Sequence, residues 1–114
     1  MKVKFMLSKK KCAPCEGGVR PFTEKEARLY LKDIEGWKIQ GRKLVKRLVF
    51  KDFTPLMKFL NKLAKLAEKE GHHPDFCAHY NKLDIEIWTH AIGGLSENDF
   101  ILAAKIDELY NHMF

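Results

Sequence analysis

Apolar positions at helical spacing mark three stretches of the chain. Ala27, Tyr30, Leu31 and Ile34 recur on one helical face behind Thr23-Glu24-Lys25-Glu26. That lead has the form of a capping box, in which the Thr hydroxyl and the Glu carboxylate satisfy exposed amides reciprocally. It predicts a helix to about Asp33, with Gly36 ending it. Leu56, Phe59, Leu60, Leu63, Leu66 and Ala67 form a second stripe, with Lys58, Lys62, Lys65 and Lys69 mostly off it. Asp52 or Thr54 is its candidate cap, Pro55 suits the first helical position, and Gly71 the stop. Leu102, Ala103, Ile106, Leu109, Tyr110 and Met113 make a third, behind a Ser96 cap with Asp99 three residues on.

Period-two patterning fills the gaps. Trp37 to Gln40 and Leu44 to Phe50 read as two strands joined around Gly41, the second alternating poorly. Phe76, Ala78 and Tyr80 share one face of a third strand, followed by a short Asn81-Lys82 turn. Leu83, Ile85, Ile87 and Thr89 then alternate with Asp84, Glu86, Trp88 and His90 until Gly93-Gly94 breaks the run. The order is α-β-β-α-β-β-α. It predicts an α+β fold, a four-stranded antiparallel sheet with the helices packed on one face. Residues 1–22 read as a leader or loop and 23–114 as one domain. The other sheet face and the edges stay available for assembly or ligand.

Composition narrows the class. At 114 residues there is room for one ordinary domain. A chain 46% hydrophobic and 32% charged reads as globular and soluble rather than disordered. No apolar run approaches the roughly 20 residues of a membrane span. The patch Phe5 to Leu7 is too short for a secretory signal core of about 7–15 residues. A cytoplasmic protein is expected. The net charge of +6 would favour a polyanion, yet the lysines are dispersed and many lie beside Glu or Asp. Arg42, Lys43, Lys46 and Arg47 cluster on a strand and turn without interleaved stacking aromatics. They read as a charged strand edge, not as a nucleic-acid surface.

The three cysteines fit a reducing compartment better than a disulfide scaffold. Cys12 and Cys15 form a CxxC pair, but no second CxxC or HxxxH completes a four-ligand zinc set, and only Cys77 with His79 offers a distant third ligand. Titratable groups concentrate between Glu68 and Asp99. His72 and His73 follow a helix end and are held by Pro74, which restricts the residue before it to extended geometry. His90 ends a strand before a glycine-bearing turn. Imidazoles so placed suit proton transfer near neutral pH. Taken alone, the same residues also fit a polar loop and a histidine that satisfies a buried carbonyl.

A resemblance tips that balance. Glu68-Lys-Glu-Gly-His72-His73-Pro74-Asp-Phe-Cys-Ala-His-Tyr80-Asn81-Lys82 closely resembles the pterin-4a-carbinolamine dehydratase family. So does Thr89-His90-Ala-Ile-Gly93-Gly94-Leu95-Ser96-Glu97-Asn98-Asp99, continuing through Leu102-Ala103 and Ile106. Gly41 with Phe50-Lys51-Asp52-Phe53 matches upstream in the expected order, and Cys12-Ala-Pro-Cys15-Glu-Gly-Gly resembles the leader of bacterial members. The resemblance implies a hydro-lyase that dehydrates 4a-hydroxytetrahydropterin to quinonoid dihydropterin. Such enzymes recycle, and so feed the biosynthesis of, the tetrahydrobiopterin of aromatic amino acid hydroxylases. It implies no cofactor or metal, and a homodimer or homotetramer. A protein-interaction role as a dimerisation cofactor is the alternative, as is a pterin-binding module serving molybdopterin or folate metabolism.

Carried over by position, His72, His73 and His90 are the catalytic and pterin-contacting set. His72 and His90 are assigned as the acid/base pair, with His73 binding and polarising the ring. Glu68, about one helical turn before His72, would orient a histidine or meet a ring N–H. Pro74 and Thr89, His90, Ala91 and Ile92 would shape the pocket, and Asp99 would support His90. Phe76 stands where some members have Trp, and Trp88 where the residue is usually smaller, bearing on pocket depth or an interface.

Overall fold

In a computed structural model the structure describes residues 7–13 and 20–114. Three helices, α1 (Glu24–Leu31), α2 (Phe53–Glu70) and α3 (Glu97–Met113), accompany four strands. These are β1 (Lys38–Gln40), β2 (Lys43–Val49), β3 (Asp75–His79) and β4 (Lys82–Ile87). Short 3-10 turns at Leu7–Lys9 and His90–Ile92 complete the described elements. The strands pair antiparallel throughout in the order β1-β2-β4-β3. The α+β order expected from the patterning is the order found.

The pleat explains the core. Leu44 faces Ile87, Lys46 faces Ile85 and Leu48 faces Leu83, so these six share one side of the sheet. Their apolar members are buried beneath α2, through Leu56, Phe59 and Leu63, and α3, through Phe100, Ile101, Leu102 and Ile106. The second strand alternates poorly in sequence because Lys46 stands on that covered side. Its ammonium reaches Asp107 (2.8 Å) and the Glu35 carbonyl (2.8 Å), and lies over the Trp37 ring. Burial pushes the Asp107 carboxyl above its ordinary range despite Lys46 and the Trp37 N–H.

Several sequence readings shift. β2 lies between β1 and β4, although β1 pairs only with Lys43 to Val45, and the basic residues of β2 are partnered on β4 or beneath the sheet. Arg47 pairs with Asp84 directly opposite, and Lys43 with Glu86. Trp37 precedes β1 and is buried, and α1 ends at Leu31. Asp52 is the α2 cap residue but makes no side-chain cap bond, and Pro55 occupies the third helical position, still among the amides that lack a helical acceptor. The β3–β4 turn is Tyr80-Asn81, with Tyr80 left-handed (φ 53°), rather than Asn81-Lys82. The run after Ile87 leaves the sheet, and His90 opens a 3-10 turn instead of ending a strand. β3 is exposed at every position: Phe76, on the covered side by register, keeps 51% of its surface exposed.

The segment Leu7 to Ala13 packs on the domain instead of trailing from it. Leu7 and Cys12 are buried in the core cluster. The Cys12 amide donates to Glu70 Oε1 (2.9 Å), and Lys105 donates to Glu70 Oε2 (2.8 Å). Burial pushes the Glu70 carboxyl up, but the Lys105 ammonium and the Cys12 amide outweigh it and hold the group below the usual range. Cys15 lies outside the described residues, and with it the CxxC pair. Cys77 is exposed on β3.

Two outcomes are expected. Ile85→Ala should cost about 2–5 kcal/mol in urea denaturation, because it empties a filled core site. Phe76→Ala, directly across the pair, should stay within about 0.5 kcal/mol. A depressed Glu70 contributes stability that is present above its unfolded pKa, about 4.3, and lost as pH falls through the lower folded value. Wild type should therefore lose stability relative to Glu70→Gln as pH drops below about 4.3. Parallel denaturation curves for the two proteins across that range would contradict it.

Candidate active site

Three element ends meet at one place. α2 closes with Gly71 in the left-handed region (φ 64°), which glycine enters without a Cβ penalty. The Gly71 amide reaches the Glu68 carbonyl (3.3 Å), and the His72 amide the Ala67 carbonyl (3.2 Å). This is the double bond of a Schellman closure, and it fixes the His72 backbone to the helix. The loop after β4 is clamped by the Thr89–Gly94 bridge, which holds His90 and Ala91 between its ends. α3 begins with the Ser96–Asp99 capping box, whose carboxylate accepts from the Ser96 amide (2.8 Å).

Asp99 ties these ends together. Its side chain is fully buried. Oδ1 lies 2.6 Å from His72 Nε2, and Oδ2 accepts from the Thr89 hydroxyl (2.8 Å) as well as from Ser96. With Asp99 as a carboxylate, which only accepts, His72 Nε2 is the donor of this hydrogen bond. The sequence reading gave Asp99 to His90. The capping box turns the side chain inward instead, toward Thr89 and the α2 end, so its imidazole partner is His72.

The other two imidazoles are open to solvent. His73 pairs with Glu68 through Nε2, both side chains lying largely exposed. His90 stacks on Trp88, with centroids 4.0 Å apart and planes 22° from parallel. Asp75 Oδ2 accepts from the Trp88 indole N–H (3.2 Å) and lies 3.8 Å from His90 Nε2. Lys43 stands over the Trp88 ring at 5.2 Å. His72, by contrast, is 12% exposed, against 61% for His73 and 60% for His90.

His72, His73, Thr89, His90 and Ala91 border one open cleft of about 330 Å³. Gly71, Asp75, Trp88, Asn98 and Ala13 complete its rim. Pro74, Ile92 and Glu68 do not line it. Pro74 leads directly into β3, and Glu68 contacts His73 from the α2 surface. Asp75, Asn98 and Ala13 had no sequence-based role. Asp75 sits directly after HisHisPro and could have been found from that alone, whereas Ala13 could not. Among the described residues no group of three or more Cys, His, Asp or Glu side chains is placed to hold a metal.

The pterin 4 alpha carbinolamine dehydratase family model matches residues 20–109, which include all three histidines and Asp99. The chain belongs to this family. It is 45% identical to a Nitrosospira multiformis protein named for pterin-4-alpha-carbinolamine dehydratase, over 91% of this chain and 92% of that one. A Rickettsia bellii protein of the same name is 48% identical over 97% of this chain and all of its own. The mitochondrial pterin-4-alpha-carbinolamine dehydratase 2 of Arabidopsis thaliana is 49% identical, with 90% of this chain matching 58% of that one. A Brucella melitensis crystal structure titled transcriptional coactivator/pterin dehydratase superposes with a TM-score of 0.74 at 33% identity. It covers 79% of this chain and 98% of its own. The carbinolamine dehydratases are hydro-lyases, and this chain is an enzyme of that class.

Asp99→Asn should show how firmly His72 is held. Three donors would then face a group with one acceptor oxygen, which leaves a buried polar group unpaired and costs about 1–3 kcal/mol. Urea denaturation measures that loss. NMR of the imidazoles should show the His72 resonances moving while those of His79 stay in place.

Proposed function

We propose that the cleft dehydrates a 4a-hydroxytetrahydropterin to the quinonoid dihydropterin by histidine acid/base catalysis. The observation that carries this reading is that three imidazoles border one open cleft, with one of them anchored on a buried carboxylate. The C4a–O bond breaks with a proton delivered to the departing hydroxyl. N5 gives up its proton as the C4a–N5 double bond forms, so water and the quinonoid product balance the substrate.

His72, oriented by Asp99, is assigned the N5 proton through Nδ1. A carboxylate on the far nitrogen favours the imidazolium that forms. His90, held by the Trp88 stack and near Asp75, is assigned the hydroxyl. His73 with Glu68 binds and polarises the ring. The family relationship supports a role in recycling the pterin of aromatic amino acid hydroxylases. The cytoplasmic site of action rests on the sequence reading alone, since the Arabidopsis relative is named mitochondrial.

A binding role beside catalysis draws on the exposed strand β3 and on the coactivator title of the Brucella structure. The same open strand supports a homodimer or homotetramer, which sedimentation would read directly.

Stopped-flow turnover of freshly generated 4a-hydroxytetrahydropterin tests the mechanism. His72→Ala and His90→Ala should each lower kcat by about 10²–10⁴-fold, the usual worth of general acid–base catalysis. His73→Ala should act mainly on KM. Wild-type rates in both His72→Ala and His90→Ala would end the proposal.

A further inference from the structure

The part of the molecule not accounted for by the acid/base reading is the segment ahead of α1. Its contacts run from the buried Leu7 and Cys12 to hydrogen bonds and an ion pair nearer the surface. The Ala13 amide donates to Asn98 Oδ1 (2.9 Å), and Asn98 Nδ2 donates back to the Ala13 carbonyl (2.6 Å). The Cys12 thiol donates to the Asn98 carbonyl (3.5 Å), and Lys10 pairs with Glu97 (3.0 Å) at the surface. Together with the Cys12–Glu70 bond, these contacts join the segment to the last turn of α2 and the first turn of α3. Glu70 is two positions before His72, and Asn98 adjoins Asp99. Ala13 and Asn98 both border the cleft.

We propose that Leu7 to Ala13 is a positioning strap of the pterin cleft. It builds one wall through Ala13 and Asn98, and it holds the α3 turn that bears Asp99 against the α2 end that bears His72. The inference rests on the pterin reading of the cleft and adds a determinant of substrate fit to it. The physical reason is the placing of Glu70, which is only 5% exposed. One of its oxygens is satisfied by the strap and the other by Lys105. Lifting the strap strips a buried carboxylate of a donor, so docking is a defined state rather than a loose covering. Asn98 and Asp99 are consecutive and point to different partners, one to the strap and one to His72. The strap therefore fixes the rotation of the helix turn that orients the imidazole.

A ligand that gains contacts from the Ala13–Asn98 wall binds the docked state better, and the docked strap then favours the ligand by the same factor. Cys12 reports docking. Burial first, and the Glu70 charge second, push its thiol up to about 12, so the docked thiol is protonated and slow to alkylate.

The test uses the full chain, iodoacetamide and peptide mass mapping that counts Cys12 apart from Cys15 and Cys77. Leu7→Asp undocks the strap from a residue outside the cleft, and Asn98→Ala removes both bonds to Ala13. Each should speed Cys12 labelling about tenfold and lower kcat/KM about tenfold, with KM rising through the lost wall and kcat falling through the loosened His72. A saturating oxidised pterin, which cannot be dehydrated, should slow Cys12 labelling of wild type about tenfold. If Leu7→Asp exposes Cys12 and leaves kcat/KM unchanged, the segment is only a cover and the proposal falls. Labelling of wild type that ignores a bound pterin overturns it too. A wild type with Cys12 protected that neither binds nor turns over any pterin defeats the reading of the cleft itself.

Discussion

A carboxylate with no exposed surface governs this molecule. Asp99 lies where the end of α2, the loop after β4 and the start of α3 converge, and it accepts from each: His72, Thr89 and Ser96. A buried charge is tolerated when its lone pairs are filled, and here one oxygen takes an imidazole while the other takes a hydroxyl and an amide. Such a constellation is weak evidence for stability, since an apolar replacement is often as good or better. Its value lies in direction. It sets the orientation of the His72 ring, which on the proposed mechanism leaves the other nitrogen for proton transfer.

The histidines differ because of that anchor. His72 is nearly enclosed, while His73 and His90 keep most of their surface. On the proposed mechanism this is a useful asymmetry. The reaction takes a proton from N5 and gives one to the departing hydroxyl, so both imidazoles must be reset through solvent after turnover. An exposed ring resets readily but would wander. The Trp88 stack and the nearby Asp75 restrain His90 without enclosing it. Glu68 does the same for His73 from the helix surface.

The fold was legible because each helix stripe and the β4 alternation record burial directly. Capping boxes at Thr23 and Ser96 were legible for the same local reason. Lys46 hid the β2 pattern, because a long side chain can stand on the covered face and carry its charge to Asp107. Position in the sheet was not local information, so the pairing of Lys43 with Glu86 and of Arg47 with Asp84 on β4 could not be read from the chain. At the site, HisHisPro, Thr-His and Asp were visible as residues but not as pairs. Asp99 was assigned to the wrong imidazole because sequence gives no rotation of a helix's first turn. The strap was out of reach altogether, since its partners Glu70 and Asn98 are remote in sequence from Cys12 and Ala13.

The site's geometry rests on end chemistry more than on core packing. His72 leaves a Schellman closure, Asp99 belongs to a capping box, and His90 sits inside a bridged loop. Each device satisfies backbone groups that a helix or strand leaves orphaned, and in doing so fixes the direction in which the next side chain departs. A small domain has few core residues to spare for supporting a site. Building the cleft from terminations lets the same hydrogen bonds finish the fold and aim the imidazoles. It also places the cleft where α2 ends and α3 begins, beside the loop that follows β4.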